Sequence, residues 1–154
     1  MIGKITIALV AATIAFIIGV RMISQRAPRP DRLGVVSGEL LPCPDTPNCV
    51  NTFGGAAPLE YAGDRNTAYS TMRTILENWP RTEVVRTDEN YIHVEFRSRV
   101  FSFIDDGEFY FPPDEGVIHY RSAARTGRSD FGANASRALD IGKKLSETLA
   151  EEAK

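Results

Sequence analysis

Histidine is almost missing from this 154-residue chain, which has only His93 and His119, and cysteine occurs only as Cys43 and Cys49. A C-x5-C pair with two isolated, widely spaced histidines matches no recognised zinc spacing, so no metal is expected and no cofactor is implied. A catalytic thiol is equally unsupported, because neither cysteine has a basic sequence neighbour to lower its pKa. Excess positive charge is also lacking. Lysine and arginine total 18 against 20 acids, and the formal net charge of −2 provides no long-range field to attract nucleic acid. No internal repeat or low-complexity tract is visible, so the length allows one domain with a single core.

What the chain does have is an apolar start. From Ile5 to Val20 the run ITIALVAATIAFIIGV is uncharged, flanked by Lys4 and Arg21. Residues 1–23 are just long enough to span a bilayer if Lys4 and Arg21 snorkel to the interfaces. The following RMISQRAPRP offers no A-x-A-like cleavage site, so an uncleaved transmembrane anchor is expected in preference to a signal peptide. Residues 24–41, with two prolines, two glycines and alternating charge, read as a linker, and residues 42–154 as a single globular domain. Arg21, Arg26, Arg29 and Arg32 follow the apolar run, so a positive-inside count places the domain in the cytoplasm.

The cysteines argue the other way. In LPCPDTPNCVNT, residues 41–52, Pro44 and Pro47 stiffen the backbone, and Thr46-Pro47-Asn48-Cys49 suits a type I or II turn. Such a reversal brings Cys43 and Cys49 to the separation a disulfide requires. A ring this small contributes only about 2.4 kcal/mol, so it sets local shape more than global stability. Disulfides persist in oxidising compartments, so the expected location is the cell membrane with the domain outside the cytoplasm, periplasmic in a bacterium; the cytoplasmic orientation is the alternative.

Beyond the cysteine loop, Tyr69, Met72, Leu76 and Trp79 mark one face of a helix capped by Asp64 or Asn66 and stopped before Pro80. TEVVRT and YIHVEFRSR, joined at DEN, read as a hairpin with Ile92, Val94 and Phe96 facing the core and His93, Glu95 and Arg97 facing away. Two further strands follow, joined at PPDEG. Phe109, Phe111, Ile118 and Tyr120 share the buried face, which puts Asp106 and Glu108 on the same face as His119 and Arg121. The tightest register sets Asp106 opposite Arg121 and Glu108 opposite His119. A last helix from about Ala135 carries Leu139, Gly142, Leu145 and Leu149 on one stripe, Gly142 permitting close approach to the sheet. The fold class is α+β: an antiparallel meander sheet with two helices packed on one face, preceded by an N-terminal transmembrane helix.

CPDTPNCV, DDGEFYF and RSAARTGRSDFGANASR occur in that order, and together they resemble the domain-of-unknown-function family DUF1499 of bacteria and chloroplasts. The matching positions are Cys43, Pro44, Thr46, Pro47, Asn48 and Cys49; Asp105, Asp106 and Glu108; and Arg121, Ser122, Ala123, Arg125, Gly127, Ser129, Asp130, Gly132, Asn134 and Arg137. Ala124 stands where the family usually has serine, and Ala135 where arginine is frequent. The resemblance implies a fold type and a motif with no activity attached.

Arg121, Arg125 and Arg128, with Ser129, Asp130 and Asn134 leading into a helix, suit a small anionic ligand: guanidinium groups bind anions bidentately and a helix N-terminus adds N–H donors. Asp105, Asp106, Glu108 and Asp130 could equally consume those arginines in an internal network, with Asp130 and Asn134 as caps. An enzyme reading makes Asp106 and Glu108 the acid and base of a hydrolase, tuned by His119 or Arg121. A third reading is an accessory subunit presenting a surface to a membrane complex. The expectation is a membrane-anchored binding or structural module rather than an enzyme.

Overall fold

Residues 2–154 are described in the computed structural model. The elements are α1 (Ile2–Gln25), β1 (Val35–Val36), β2 (Glu39–Leu40), β3 (Cys49–Asn51), β4 (Leu59–Glu60), α2 (Arg65–Glu77), β5 (Thr82–Asp88), β6 (Tyr91–Arg97), β7 (Ile104–Tyr110), β8 (Val117–Ala124) and α3 (Ala133–Glu152). Strands β5 to β8 form the expected antiparallel meander, with spatial order β3-β8-β7-β6-β5 and β4 also paired to β8. Helix α1 is long and apolar enough to cross a membrane, and most of its large apolar side chains from Ile5 to Ile23 are exposed.

Helices α2 and α3 cover one face of the sheet. Alternation puts Ile92, Val94, Phe96, Phe109, Ile118 and Tyr120 on that face, where they pack with Met72, Leu76, Ile141 and Leu145 in one apolar cluster. The Asp64 carboxylate caps α2 by accepting the N–H groups of Asn66 and Thr67. Tyr69 and Trp79 are partly buried at the rim of the cluster. The stripe of α3 is Ala138, Ile141, Gly142, Leu145 and Leu149, and Leu139 does not belong to it: it is 63% exposed, because it lies about 100° round the helix from Ala138. A Cβ on Gly142 would lie 2.7 Å from Leu59 Cδ2, so this glycine is what lets α3 close onto β4.

The β7–β8 register departs from the tightest pairing by two residues. Glu108 lies opposite Arg121, Asp106 opposite Ala123 and Tyr110 opposite His119. Slipping by two preserves which face each side chain takes, and the connection from Phe111 to Gly116 is correspondingly longer than a tight turn. On the far side of the sheet β5 is an edge strand, interrupted by a bulge between Val84 and Arg86.

Cys43 and Cys49 are disulfide-bonded, with Cα atoms 5.7 Å apart. The reversal is tighter than a four-residue turn: the Asn48 N–H donates to the Thr46 carbonyl at 2.8 Å, a three-residue turn centred on Pro47. The linker is not loose either. It folds a small hairpin, β1 with β2, and buries Leu40.

Candidate functional site

The sheet face opposite the helices carries Tyr91, His93, Glu95 and Arg97 from β6, Asp106 and Glu108 from β7, and Arg121 from β8, with Arg125 just beyond that strand. Period-two alternation aims all of them the same way. Arg125, its side chain 5% exposed, donates from Nε to Asp106 Oδ2 and from Nη2 to Asp106 Oδ1, each at 2.7 Å, and from Nη2 to Glu95 Oε1 at 2.6 Å. His93 Nε2 donates to Asp106 Oδ1 at 2.8 Å. Glu95 also accepts from Arg97 at 3.1 Å and from Nε of Arg29 at 3.0 Å. Glu108 is fully buried and accepts three bonds: the Tyr91 hydroxyl at 2.8 Å, the Gly34 N–H at 2.7 Å and Arg121 Nη1 at 3.0 Å.

This face is therefore closed by the chain's own linker. Arg29 and Gly34 lie across the sheet and tie the segment between α1 and β1 to Glu95 and Glu108. Charged acids this deeply buried persist only when paired and fully hydrogen-bonded, and these are.

A second polar cluster lies on the helix side. Arg137 donates to Asp105 Oδ2 at 2.8 Å and to Asn134 Oδ1 at 3.0 Å, and its guanidinium sits 4.4 Å from the centre of the Phe96 ring. Ser122 donates its hydroxyl to Asn134, whose amide reaches the Asn48 carbonyl at 3.3 Å. The Asn48 amide in turn donates to the Gly127 carbonyl at 2.8 Å. The cysteine loop, β7, β8 and α3 are thus joined by side chains that belong to three separate motifs. Gly107, between the two acids, has no room for a Cβ, which would lie 2.4 Å from Phe96 Cε2.

The residue set expected to hold an anion is dispersed by these contacts. Arg121 and Arg125 are ion-paired on the linker-covered face, whereas Arg128 is exposed and makes no ion pair among the described residues. Asp130 accepts the N–H groups of Gly132 at 3.1 Å and Asn134 at 2.9 Å, so its carboxylate occupies the helix N-terminus where an outside anion would sit. Ser129 Oγ accepts the Phe131 N–H. Asn134 is not the N-cap, which is Gly132; it is the second residue of α3 and is buried against β8. His119 does not approach Asp106 or Glu108. It bonds Thr52 and Glu115 and stacks on Phe53, while His93 takes the place beside Asp106. Among the described residues no group of His, Cys, Asp or Glu side chains is placed to hold a metal ion.

The family model "Protein of unknown function (DUF1499)" matches residues 39–145. The chain belongs to the DUF1499 family. No curated protein and no solved structure matches it. In this member, most of the polar residues that carry the family pattern fall into the two networks: Asp106, Glu108, Arg121 and Arg125 under the linker, and Asn48, Asp105, Ser122, Asn134 and Arg137 under α3. Their partners Arg29, Gly34, Tyr91, His93, Glu95 and Arg97 carry no motif; only strand alternation placed the last three on the right face.

Titration follows the pairing. Burial acts to raise Glu95 and Asp106, but hydrogen bonds from Arg125, with Arg29 for Glu95 and His93 for Asp106, hold both below their ordinary values of 4.5 and 3.8. Asp105 moves oppositely, burial pushing it above 3.8 against the pull of Arg137. Depressed acids contribute stability that is complete above their unfolded values and lost as pH falls through the folded ones; Asp105, being raised, contributes in the opposite sense. Asp130, which accepts the backbone N–H groups of Asn134 and Gly132, and the exposed cap Asp64 are lowered too, so with four depressed acids against one raised the melting temperature should fall as pH is lowered from about 6 to about 3. A thermal melt of the full chain in detergent across that range checks this; a flat profile would mean that these carboxylates are not held ionised by their partners.

Proposed function

We propose that this chain is a single-pass membrane protein whose helix anchors a binding or structural domain on the oxidising side of the membrane, as an accessory module held at a set orientation. The observation that carries this reading is the linker clamp: Arg29 on Glu95 and the Gly34 N–H on Glu108 tie the segment that leaves α1 to the sheet. A domain meant only to be displayed on a flexible tether needs no such contacts. The disulfide supports the extracytoplasmic side over the arginine count.

Of the three arginines expected to hold an anion, Arg128 alone makes no ion pair among the described residues, and the Asp106 and Glu108 carboxylates are buried and already bonded to Arg125 and Arg121. The module reading has the better support.

Two readouts on the full chain in its native membrane test it together. Cys43 and Cys49 should resist thiol labelling until reduced, and a C-terminal alkaline phosphatase fusion should be active while a green fluorescent protein fusion stays dark. Labelled thiols with a fluorescent C-terminus would put the domain in the cytoplasm.

A further inference from the structure

Antiparallel pairing sorts the loops onto two ends of the sheet. The loop 98–103 between β6 and β7, the loop 125–132 between β8 and α3, and the cysteine loop before β3 all lie at one end, and their closeness is fixed by the Arg125 N–H donating to the Ile104 carbonyl at 2.9 Å. The linker arrives at that same end. Arg29 meets Glu95, two residues before β6 finishes, and only then does the chain run inward to Gly34 at Glu108. Three residues separate Gln25, the last of α1, from Arg29, so the two lie four steps apart, a reach of about 14 Å when fully extended. The end of the domain bearing these loops is therefore the end nearest to wherever α1 enters a membrane.

That end displays exposed apolar side chains. Phe131 is 97% exposed, Val100 48% and Phe103 38%, the last with its ring centre 5.7 Å from that of Phe101. Within 98–103, the Ser102 N–H donates to the Ser98 carbonyl at 3.2 Å, the Ser98 N–H to the Phe103 carbonyl at 2.9 Å, and the Ser98 hydroxyl accepts the Phe103 N–H at 2.9 Å. Phe131 is held outward with its N–H on Ser129 Oγ and its backbone in the left-handed region, φ 54°, which a bulky residue seldom adopts. Exposed cations flank them, Arg99 beside Val100 and Arg128 near Phe131, with Arg81 on the adjoining loop; Asp45 is the exposed acid of the cysteine loop. Apolar tips flanked by arginine suit the headgroup region of a bilayer, where the rings reach the acyl boundary and the guanidinium groups meet lipid phosphate.

We infer that the loops 98–103 and 125–132 insert Val100, Phe103 and Phe131 into the interface of the same bilayer that α1 enters, so that the domain lies against the membrane on this end. The inference rests on the anchored reading above. It goes beyond that reading by naming the surface and its partner, a lipid interface containing anionic headgroups.

Full-chain variants reconstituted in vesicles of phosphatidylcholine and phosphatidylglycerol, with a fraction of the lipid brominated on the upper acyl chain, test the inference. Each variant carries one new tryptophan, and the emission of native Trp79 is subtracted using the unsubstituted chain. Phe16→Trp reports the anchor, Phe131→Trp and Phe103→Trp the loop tips, and Glu115→Trp the opposite end of the sheet. The loop-tip variants should lose about half their emission, as expected for rings held at a shallow depth of ~5–10 Å, while Glu115→Trp is unchanged. If Phe16→Trp is quenched and both loop-tip variants are not, the anchor stands and the membrane-facing surface is wrong, leaving these side chains to a protein partner. If Phe16→Trp itself is unquenched, the anchored reading fails and takes this inference with it. Equal quenching at Glu115 would also overturn it, because the contact would then be unspecific.

Discussion

Arg125→Met should be the most damaging single change at a polar position, costing about 3–5 kcal/mol, the usual result of stranding a buried acid by deleting its partner. Arg125 grips Asp106 with two nitrogens and Glu95 with one, and without it Asp106 retains only His93. Glu95 suffers less because Arg29 and Arg97 remain. For a domain of this size the loss corresponds to roughly 10–25 °C in melting temperature, readable by circular dichroism of the full chain in detergent. Arg125→Lys should recover only part of it, since an ammonium cannot reproduce the planar fork. Arg128→Gln, at an exposed and unpaired position, should stay within about 0.5 kcal/mol of the parent. The double change Arg125→Met with Asp106→Leu should cost less than the sum of the single changes, because it removes both charges at once. Equal, small effects at Arg125 and Arg128 would return the loop to the anion-site reading.

Glu108→Ala is expected to cost a similar 3–5 kcal/mol and to release the linker as well. Its carboxylate holds Arg121, whose Nε is already buried without a partner, together with the Tyr91 hydroxyl and the Gly34 N–H. Removal leaves a buried guanidinium uncompensated and frees the linker backbone at the same moment. Limited trypsin digestion below the melting temperature separates the two effects: cleavage after Arg32 and Arg26 should accelerate well before the sheet is cut, because local opening needs less free energy than global unfolding. Were Glu108 a solvent-accessible catalytic acid, its alanine variant would instead lose activity while melting like the parent.

Both results turn on partners that the sequence only half reveals. Alternation in YIHVEFR, IDDGEFY and VIHYRSAA assigns every side chain to its face, because strand periodicity is fixed by backbone geometry. It does not fix the register, since a slip of two residues changes no face, and so the tightest pairing puts Asp106 opposite Arg121 where Glu108 belongs. The Arg29 and Gly34 contacts were invisible for a different reason: proline, glycine and alternating charge describe a solvated tether and a docked segment equally well. Asn134 misled because asparagine is a good N-cap wherever it precedes a helix, and here a left-handed Gly132 with Asp130 behind it had already capped the end. Leu139 misled because an apolar residue one step off a helical stripe still looks like part of it. The disulfide was legible, since two cysteines separated by a proline-stiffened reversal have few other geometries open to them.

Proteins confined to a membrane meet one another in two dimensions, at effective concentrations and in shared orientations that favour edge-to-edge strand pairing. On the anchored reading, copies of this domain would present their sheet edges to each other side by side. The bulge between Val84 and Arg86 interrupts the hydrogen-bonding row of β5, and the exposed charges of Glu83, Arg86 and Asp88 line it. At the other edge the strands β3 and β4 are only three and two residues long. Neither edge offers a long, flat template to a neighbour, so crowding in the plane of the bilayer need not lead to sheet extension or aggregation.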